Sequence, residues 1–192
     1  MGLEKSAIPT DIGSTSHASD FCYMTSHDKL NVEITNYSRE FYAKRGNYIQ
    51  TGGLEVARKG DDERMLELIR KVGSGKAFGT NAYMISAAEA KEKFPLLEED
   101  QIQGALWDPD AGLVTPRSQK VAGDLVDEAV ASGKLKAFAY TPATKLLVQD
   151  GEIKGVETPK GTITADYVVL CVGIWGNLVS QTAGVKLPLM PL

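Results

Sequence analysis

Six consecutive residues, Tyr167-Val168-Val169-Leu170-Cys171-Val172, carry no charge and no polar alternation that would turn one face to water. A run of that kind predicts a central parallel strand buried on both faces. What precedes it narrows the fold further. Lys145 to Gln149 and Glu152 to Val156 flank Asp150-Gly151, a pair suited to the positive φ angles of a tight hairpin turn. A third short strand, Thr162-Ile163-Thr164, follows the Lys160-Gly161 turn. Upstream, Thr115-Pro116 predicts a helix start, with threonine at the cap and proline in the first helical position. Val121, Leu125, Val126 and Ala129 give that helix its buried face, and Gly133 its stop. Helix, three-stranded meander and buried strand in succession predict an α/β chain.

The middle of the sequence reads differently. Leu30, Ile34, Tyr37 and Phe41 recur at helical spacing between His27 and Gly46, predicting a helix that packs through this stripe, with Ser26 or Asp28 as cap. Tyr37 and Tyr42 are read as packing residues rather than substrate contacts. Tyr48 to Ala57 predicts two extended stretches around Gly52-Gly53, where paired glycines suggest a bulge or the close approach of another backbone. Asp61 and Asp62 precede Met65, Leu66, Leu68, Ile69 and Val72, an amphipathic helix with acidic residues at its positive end. Ser86-Ala87-Ala88-Glu89 is a capping box opening a short helix that must stop before Pro95. Ile102 to Trp107 predicts a further strand, and Asp108 to Gly112 a turn.

One segment carries chemistry. Gly13-Ser14-Thr15-Ser16-His17-Ala18 sets glycine and hydroxyl residues directly before one of only two histidines. Such a run brings backbone and hydroxyl donors near a phosphate without any basic side chain, and its imidazole can serve as base, ligand or covalent anchor. Ahead of it, Gly2-Leu3-Glu4-Lys5 reads as a strand ending in an acid. In dinucleotide-binding folds an acid at the tip of the second strand accepts hydrogen bonds from the adenosine ribose.

Leu-Glu-Lys, a loop, and then G-S-T-S-H-A resemble the flavin-dependent amine oxidoreductases of the dimethylglycine and sarcosine dehydrogenase or oxidase type, within the D-amino-acid-oxidase superfamily. The resemblance spans nearly the whole sequence. It implies an α/β fold: a partial FAD-binding, glutathione-reductase-like Rossmann-type domain with a β-meander over 1–27 and 112–192, and part of a mixed α+β substrate domain over 28–111. It implies FAD as cofactor, covalently attached through His17, and Glu4 and Lys5 beside the adenosine ribose. Ser14, Thr15 and Ser16 face the pyrophosphate or ribityl chain in this reading, with Phe21 near the flavin, Ala143 against adenine and Gly173 against the dinucleotide. V-G-I-W-G is similar to the family's A-A-G-x-W, and Trp175 is either a cofactor neighbour or plain core. His17-Ala18-Ser19-Asp20 departs from the family's H-A-P-G or H-A-A-G, which leaves the local backbone open.

The implied reaction is oxidative demethylation of a small N-methylated glycine. No catalytic residue is assigned within the sequence; the family places them beyond the position of Leu192, and the glycine-rich G-x-G-x-x-G turn before that of Glu4. The expected partners are therefore the amine substrate, the remainder of the polypeptide or a complementary subunit, and folate through a further domain. Alone, the chain is expected to take up FAD poorly. A non-catalytic remnant or subunit is the alternative class, and another superfamily member, such as glycine oxidase, a further one. A net charge of −4 and 43% hydrophobic content argue against nucleic acid. No apolar run approaches a membrane span, and no secretory leader is recognised, so the expected location is cytoplasmic, or the mitochondrial matrix in a eukaryote. Cys22 and Cys171 read as ordinary reduced thiols, and no metal site is recognised.

Overall fold

The computed structural model describes residues 1–190 and divides the chain into two compact units, Met1–Ala18 with Ser118–Leu192, and Ser19–Arg117. In the second unit a three-stranded antiparallel sheet has Ile102–Asp108 at its centre, flanked by Gly53–Arg58 and Tyr83–Ile85. Successive side chains of a strand face opposite sides. Leu106 therefore joins Ala57, Leu68, Val72 and Ala82 in one apolar cluster and Ala105 joins Ile85 and Ala90 in another, to which a register shift between the Ala57–Gly104 and Arg58–Ile102 pairs also brings Ile102. The Asp62–Ala77 helix supplies Leu68 and Val72 to the first cluster, and the Ala87–Lys93 helix supplies Ala90 to the second.

Local chemistry fixes both helix starts. Asp61 accepts the Arg64 N–H at 3.0 Å. The Ser86 hydroxyl accepts the Glu89 N–H at 3.2 Å, and the Glu89 carboxylate accepts the Ser86 N–H at 2.7 Å, which completes the capping box. On the 62–77 helix the apolar face is narrower than the sequence implies. Leu68 and Val72 are buried, whereas Leu66 and Ile69 are about half exposed.

A second antiparallel sheet orders Phe21–Cys22, Gly112–Val114 and Tyr48–Gln50. Gly52 precedes the Gly53–Arg58 strand and Gly53 opens it; the Gly52 N–H donates to the Ala111 carbonyl at 2.9 Å, so another backbone does come close, and aromatic rings fill the space beside both glycines. A Cβ on Gly52 would lie 2.0 Å from the Trp107 ring, and one on Gly53 would lie 2.6 Å from Phe21. The Lys29–Lys44 helix is capped by Asp28, but it packs through the face opposite to the predicted one. Of the expected stripe Leu30, Ile34 and Tyr37 are exposed and only Phe41 is half-buried; Val32 is the buried residue, with Thr35, Asn36 and Arg39 half-buried. These lie about half a turn around the helix from the apolar stripe. The Arg39 guanidinium, 3.3 Å from the Asp110 carboxylate, helps hold that polar face inward.

In the first unit Gly2–Leu3 pairs in parallel with Ala137–Phe138. The meander forms as the turn chemistry dictates: Lys145–Gln149, Glu152–Thr158 and Gly161–Thr164 are antiparallel, and Asp150 and Gly151 both have positive φ. Within it, Gly155 adopts φ +144° beside a bulge, with the Ile163 carbonyl oxygen 2.0 Å from where a Cβ would stand. The Ser118–Ala131 helix begins after Pro116 rather than at it; Val121 is buried but Leu125 is 37% exposed.

Residues 167–172 do not form the predicted buried strand. The segment belongs to no sheet, and Tyr167 and Val169 are 90% and 82% exposed. Continuous apolarity makes a central strand only when a ladder partner lies along each edge and a layer covers each face. Among the described residues no strand runs beside this segment.

Candidate functional site

A cleft of about 510 Å³ opens in the first unit, and four separate stretches of sequence build its wall. Leu3, Glu4 and Lys5 come from the end of the first strand, Gly13, Ser14 and Thr15 from the turn before His17, Pro142 to Thr144 from the approach to the meander, and Cys171 to Trp175 from the end of the apolar run. Clefts of roughly 300–1,000 Å³ hold small molecules and cofactors.

Glu4 is fixed by its backbone and its side chain together. Its N–H donates to the Phe138 carbonyl at 2.9 Å, and its own carbonyl accepts the Thr141 N–H at 2.8 Å. Its carboxylate oxygen Oε1 accepts the Ser6 N–H at 3.0 Å and the Ser6 hydroxyl at 3.1 Å. Beside it, the Lys5 ammonium lies 3.4 Å from the centroid of the Trp175 ring, a cation–π contact across the cleft wall. Gly173 has φ +52°, and a Cβ built there would meet nothing within 4 Å. The backbone at Gly173 is therefore bare toward open space, where a ligand can come close to it.

Gly13 to His17 form a single helical turn, Ser14–His17, with Gly13 at its cap. The Ser16 hydroxyl donates to the Gly13 carbonyl at 2.8 Å, so it serves the turn and does not line the cleft. His17 is exposed, with Nδ1 3.1 Å from the Gly13 carbonyl oxygen and 3.0 Å from the Ser16 Oγ. In the tautomer that carries its proton on Nδ1, the ring donates to the Gly13 carbonyl, and Nε2 makes no contact within the turn.

Of the nine residues expected from the sequence, Glu4, Lys5, Ser14, Thr15, Ala143 and Gly173 share this wall, whereas Ser16 and His17 stand on the same turn outside it. Phe21 belongs to the other unit, where its ring packs edge-on against Tyr23 at 4.9 Å. Sequence reasoning missed Ser6 and Thr10. The only signal for Ser6 is its place two residues after Glu4, the distance at which a hydroxyl can turn back onto a carboxylate. In the 19–117 unit the Cys22 thiol and the Tyr23 and Tyr48 hydroxyls, near Phe21, stay protonated at neutral pH. Burial, followed by the Asp20 carboxylate, pushes the Cys22 thiol up. Burial, ahead of the charge at Cys22, pushes the Tyr48 hydroxyl up to about 12, and burial, then the Glu55 and Asp108 carboxylates, raises Tyr23 further. The Tyr23 and Tyr48 hydroxyls donate their protons to the Leu54 and Asp110 carbonyls, so these groups support the fold rather than supply a nucleophile.

The cleft residues fit the adenosine end of a dinucleotide: an acidic acceptor at a strand tip, small residues along a turn, and a bare glycine backbone opposite. Among the described residues, no group of three or more His, Cys, Asp or Glu side chains is placed to hold a metal ion. No described helix is long and apolar enough to cross a membrane.

Comparison with known proteins identifies the family. The chain is 31% identical to human mitochondrial sarcosine dehydrogenase over 94% of its own length and 20% of that protein's. It is 29% identical to dimethylglycine dehydrogenase of Rattus norvegicus over 99% of its length and 22% of that protein's. The crystal structure of L-proline dehydrogenase from P. horikoshii superposes with a TM-score of 0.80 at 32% identity, covering 91% of this chain and 47% of that one. The chain thus spans about a fifth of the length of the curated relatives it matches. Residues 2–192 match the family model described as DAO, FAD dependent oxidoreductase, and the chain belongs to that family.

Proposed function

We propose that this chain is the cofactor-side segment of an FAD-dependent oxidoreductase that oxidises a small N-methylated amine, a sarcosine or dimethylglycine class substrate, with FAD attached through His17. The observation that carries the reading is the convergence of Glu4, Ser14, Thr15, Ala143 and Gly173, drawn from distant parts of the sequence, on one cleft. The names of the similar dehydrogenases supply the substrate class.

FAD, when bound, supplies the acceptor for the hydride that leaves the methyl carbon of the amine. The residues of this chain hold and orient it. Glu4 accepts from the adenosine ribose, and Ser14 and Thr15 present donors to the phosphates. Gly173 lets the backbone close on the dinucleotide. In the tautomer whose Nδ1 proton is directed at the Gly13 carbonyl, His17 keeps Nε2 free for a covalent bond to the cofactor. Groups that deprotonate the amine, and any folate-binding domain, lie in the rest of the polypeptide or in a complementary subunit.

The test uses the full-length polypeptide. Native protein retains its flavin absorbance through acid precipitation, and sarcosine or dimethylglycine bleaches it under anaerobic conditions. His17→Ala loses all acid-stable flavin while keeping its far-ultraviolet circular dichroism. Acid-stable flavin in His17→Ala would move the attachment to another residue. Failure of both amines to bleach the native protein would remove the substrate class.

A further inference from the structure

Glu4 ends a short chain of hydrogen bonds that runs in one direction. The Ile12 N–H donates to the Thr10 hydroxyl oxygen at 3.3 Å, which occupies an acceptor position on that oxygen. Thr10 Oγ1 lies 2.9 Å from Ser6 Oγ, and Ser6 Oγ donates to Glu4 Oε1 at 3.1 Å. A hydroxyl has one proton. With the Ser6 proton committed to the carboxylate, the bond between the two hydroxyls runs from Thr10 to Ser6. The order is Ile12 N–H, Thr10, Ser6, Glu4.

Ser6 also delivers its backbone N–H to the same oxygen, Oε1, at 3.0 Å. Two donors from one buried residue, itself 9% exposed, therefore hold one carboxylate oxygen. Oε2 receives no hydrogen bond from the described residues, and Glu4, Thr10 and the turn after Ile12 all line the cleft. The 4–13 loop is itself anchored, because Gln119 Nε2 donates to the Thr10 carbonyl at 2.8 Å. A carboxylate fixed through one oxygen presents the other at a set angle, and hydrogen bonds aligned in a chain strengthen one another.

We propose that Ser6, backed by Thr10, is a positioning residue that aims the free oxygen of Glu4 at the 2′-hydroxyl of an adenosine ribose. Ser6 thereby sets the preference for ribose over deoxyribose. This inference rests on the reading of the cleft as a dinucleotide site. Ser6 touches no ligand; it acts through Glu4.

The probe is ADP against 2′-deoxy-ADP, titrated into flavin-free full-length polypeptide and followed by competition calorimetry, which registers weak binding. A hydrogen bond to a charged group gives about a tenfold preference of the native chain for ADP. Ser6→Ala brings that ratio to about two while leaving the affinity for 2′-deoxy-ADP within about twofold of native. Ser6→Thr, which keeps the hydroxyl, restores the ratio. A merely structural role for Ser6 would weaken both nucleotides equally, and that result overturns the proposal. Loss of the preference in Glu4→Gln together with its retention in Ser6→Ala also overturns the proposal, while the dinucleotide reading stands. If native chain fails to prefer ADP, or if Glu4→Gln leaves the preference intact, the reading itself fails and the proposal falls with it.

Discussion

Leu106 and Val169 are both apolar residues in strand-like runs, yet one is fully buried and the other 82% exposed. The difference lies in what surrounds them. Leu106 sits on a strand hydrogen-bonded on both edges, with a helix over its face. Val169 lies in a segment that no described strand joins. Hydrophobicity supplies the reason to be buried, but burial itself needs neighbours, and in the 1–18 and 118–192 unit the meander pairs with itself while the apolar run stands apart.

The contrast is sharpest under truncation. Leu106→Ala removes side-chain atoms from a closed cluster and destabilises the 19–117 unit by about 2–5 kcal/mol, while Val169→Ala stays within about 0.5 kcal/mol. Native-state hydrogen exchange of amides in the 102–108 strand measures the first, and the same measurement on the meander strands measures the second. Equal effects would show that the apolar run is packed after all.

Inside the meander, Gly155→Ala tests whether that sheet is as tightly specified as the other. A methyl at φ +144° against the Ile163 carbonyl forces backbone to move, at a cost of about 1–3 kcal/mol, read as lost exchange protection across the 145–164 strands. A smaller effect comes from a cap. Ser86→Ala weakens the 87–93 helix and the cluster around Ala90 by about 1 kcal/mol. The Ser86 N–H and then its hydroxyl hold the Glu89 carboxyl below its ordinary range. A lowered carboxyl pKa in the folded state contributes stability above the unfolded value, and that contribution disappears as pH falls through the folded value. Glu89→Gln should therefore flatten the loss of stability on the acid side of pH ~4.5 in denaturation curves.

What the sequence makes legible is what a few neighbouring residues decide. Asp150-Gly151 fixes its turn because positive φ is a property of those two positions, and Ser86 with Glu89 cap a helix over a span of four residues. The stripe of Leu30, Ile34 and Tyr37 marks a real apolar face. Periodicity does not say which face meets the protein, and the Arg39 to Asp110 ion pair turns the opposite one inward. Tyr167 to Val172 fails for a related reason, since ladder partners are not encoded in the run itself. At the cleft, Glu4, Ser14, Thr15 and Gly173 stand out as residue types with recognisable uses. Ser6 and Thr10 do not, because a hydroxyl two residues beyond an acid is common and only the folded loop brings it back onto Oε1.

The contact of Lys5 with Trp175 joins residues 170 positions apart in the sequence. Indole emission responds to a nearby elementary charge, and Trp175 is the sole tryptophan of its unit, Trp107 lying in the other. The ammonium 3.4 Å from that ring makes the cleft its own optical gauge. Whatever draws Lys5 away from the indole, an arriving anionic group above all, changes the colour and yield of the light that Trp175 returns.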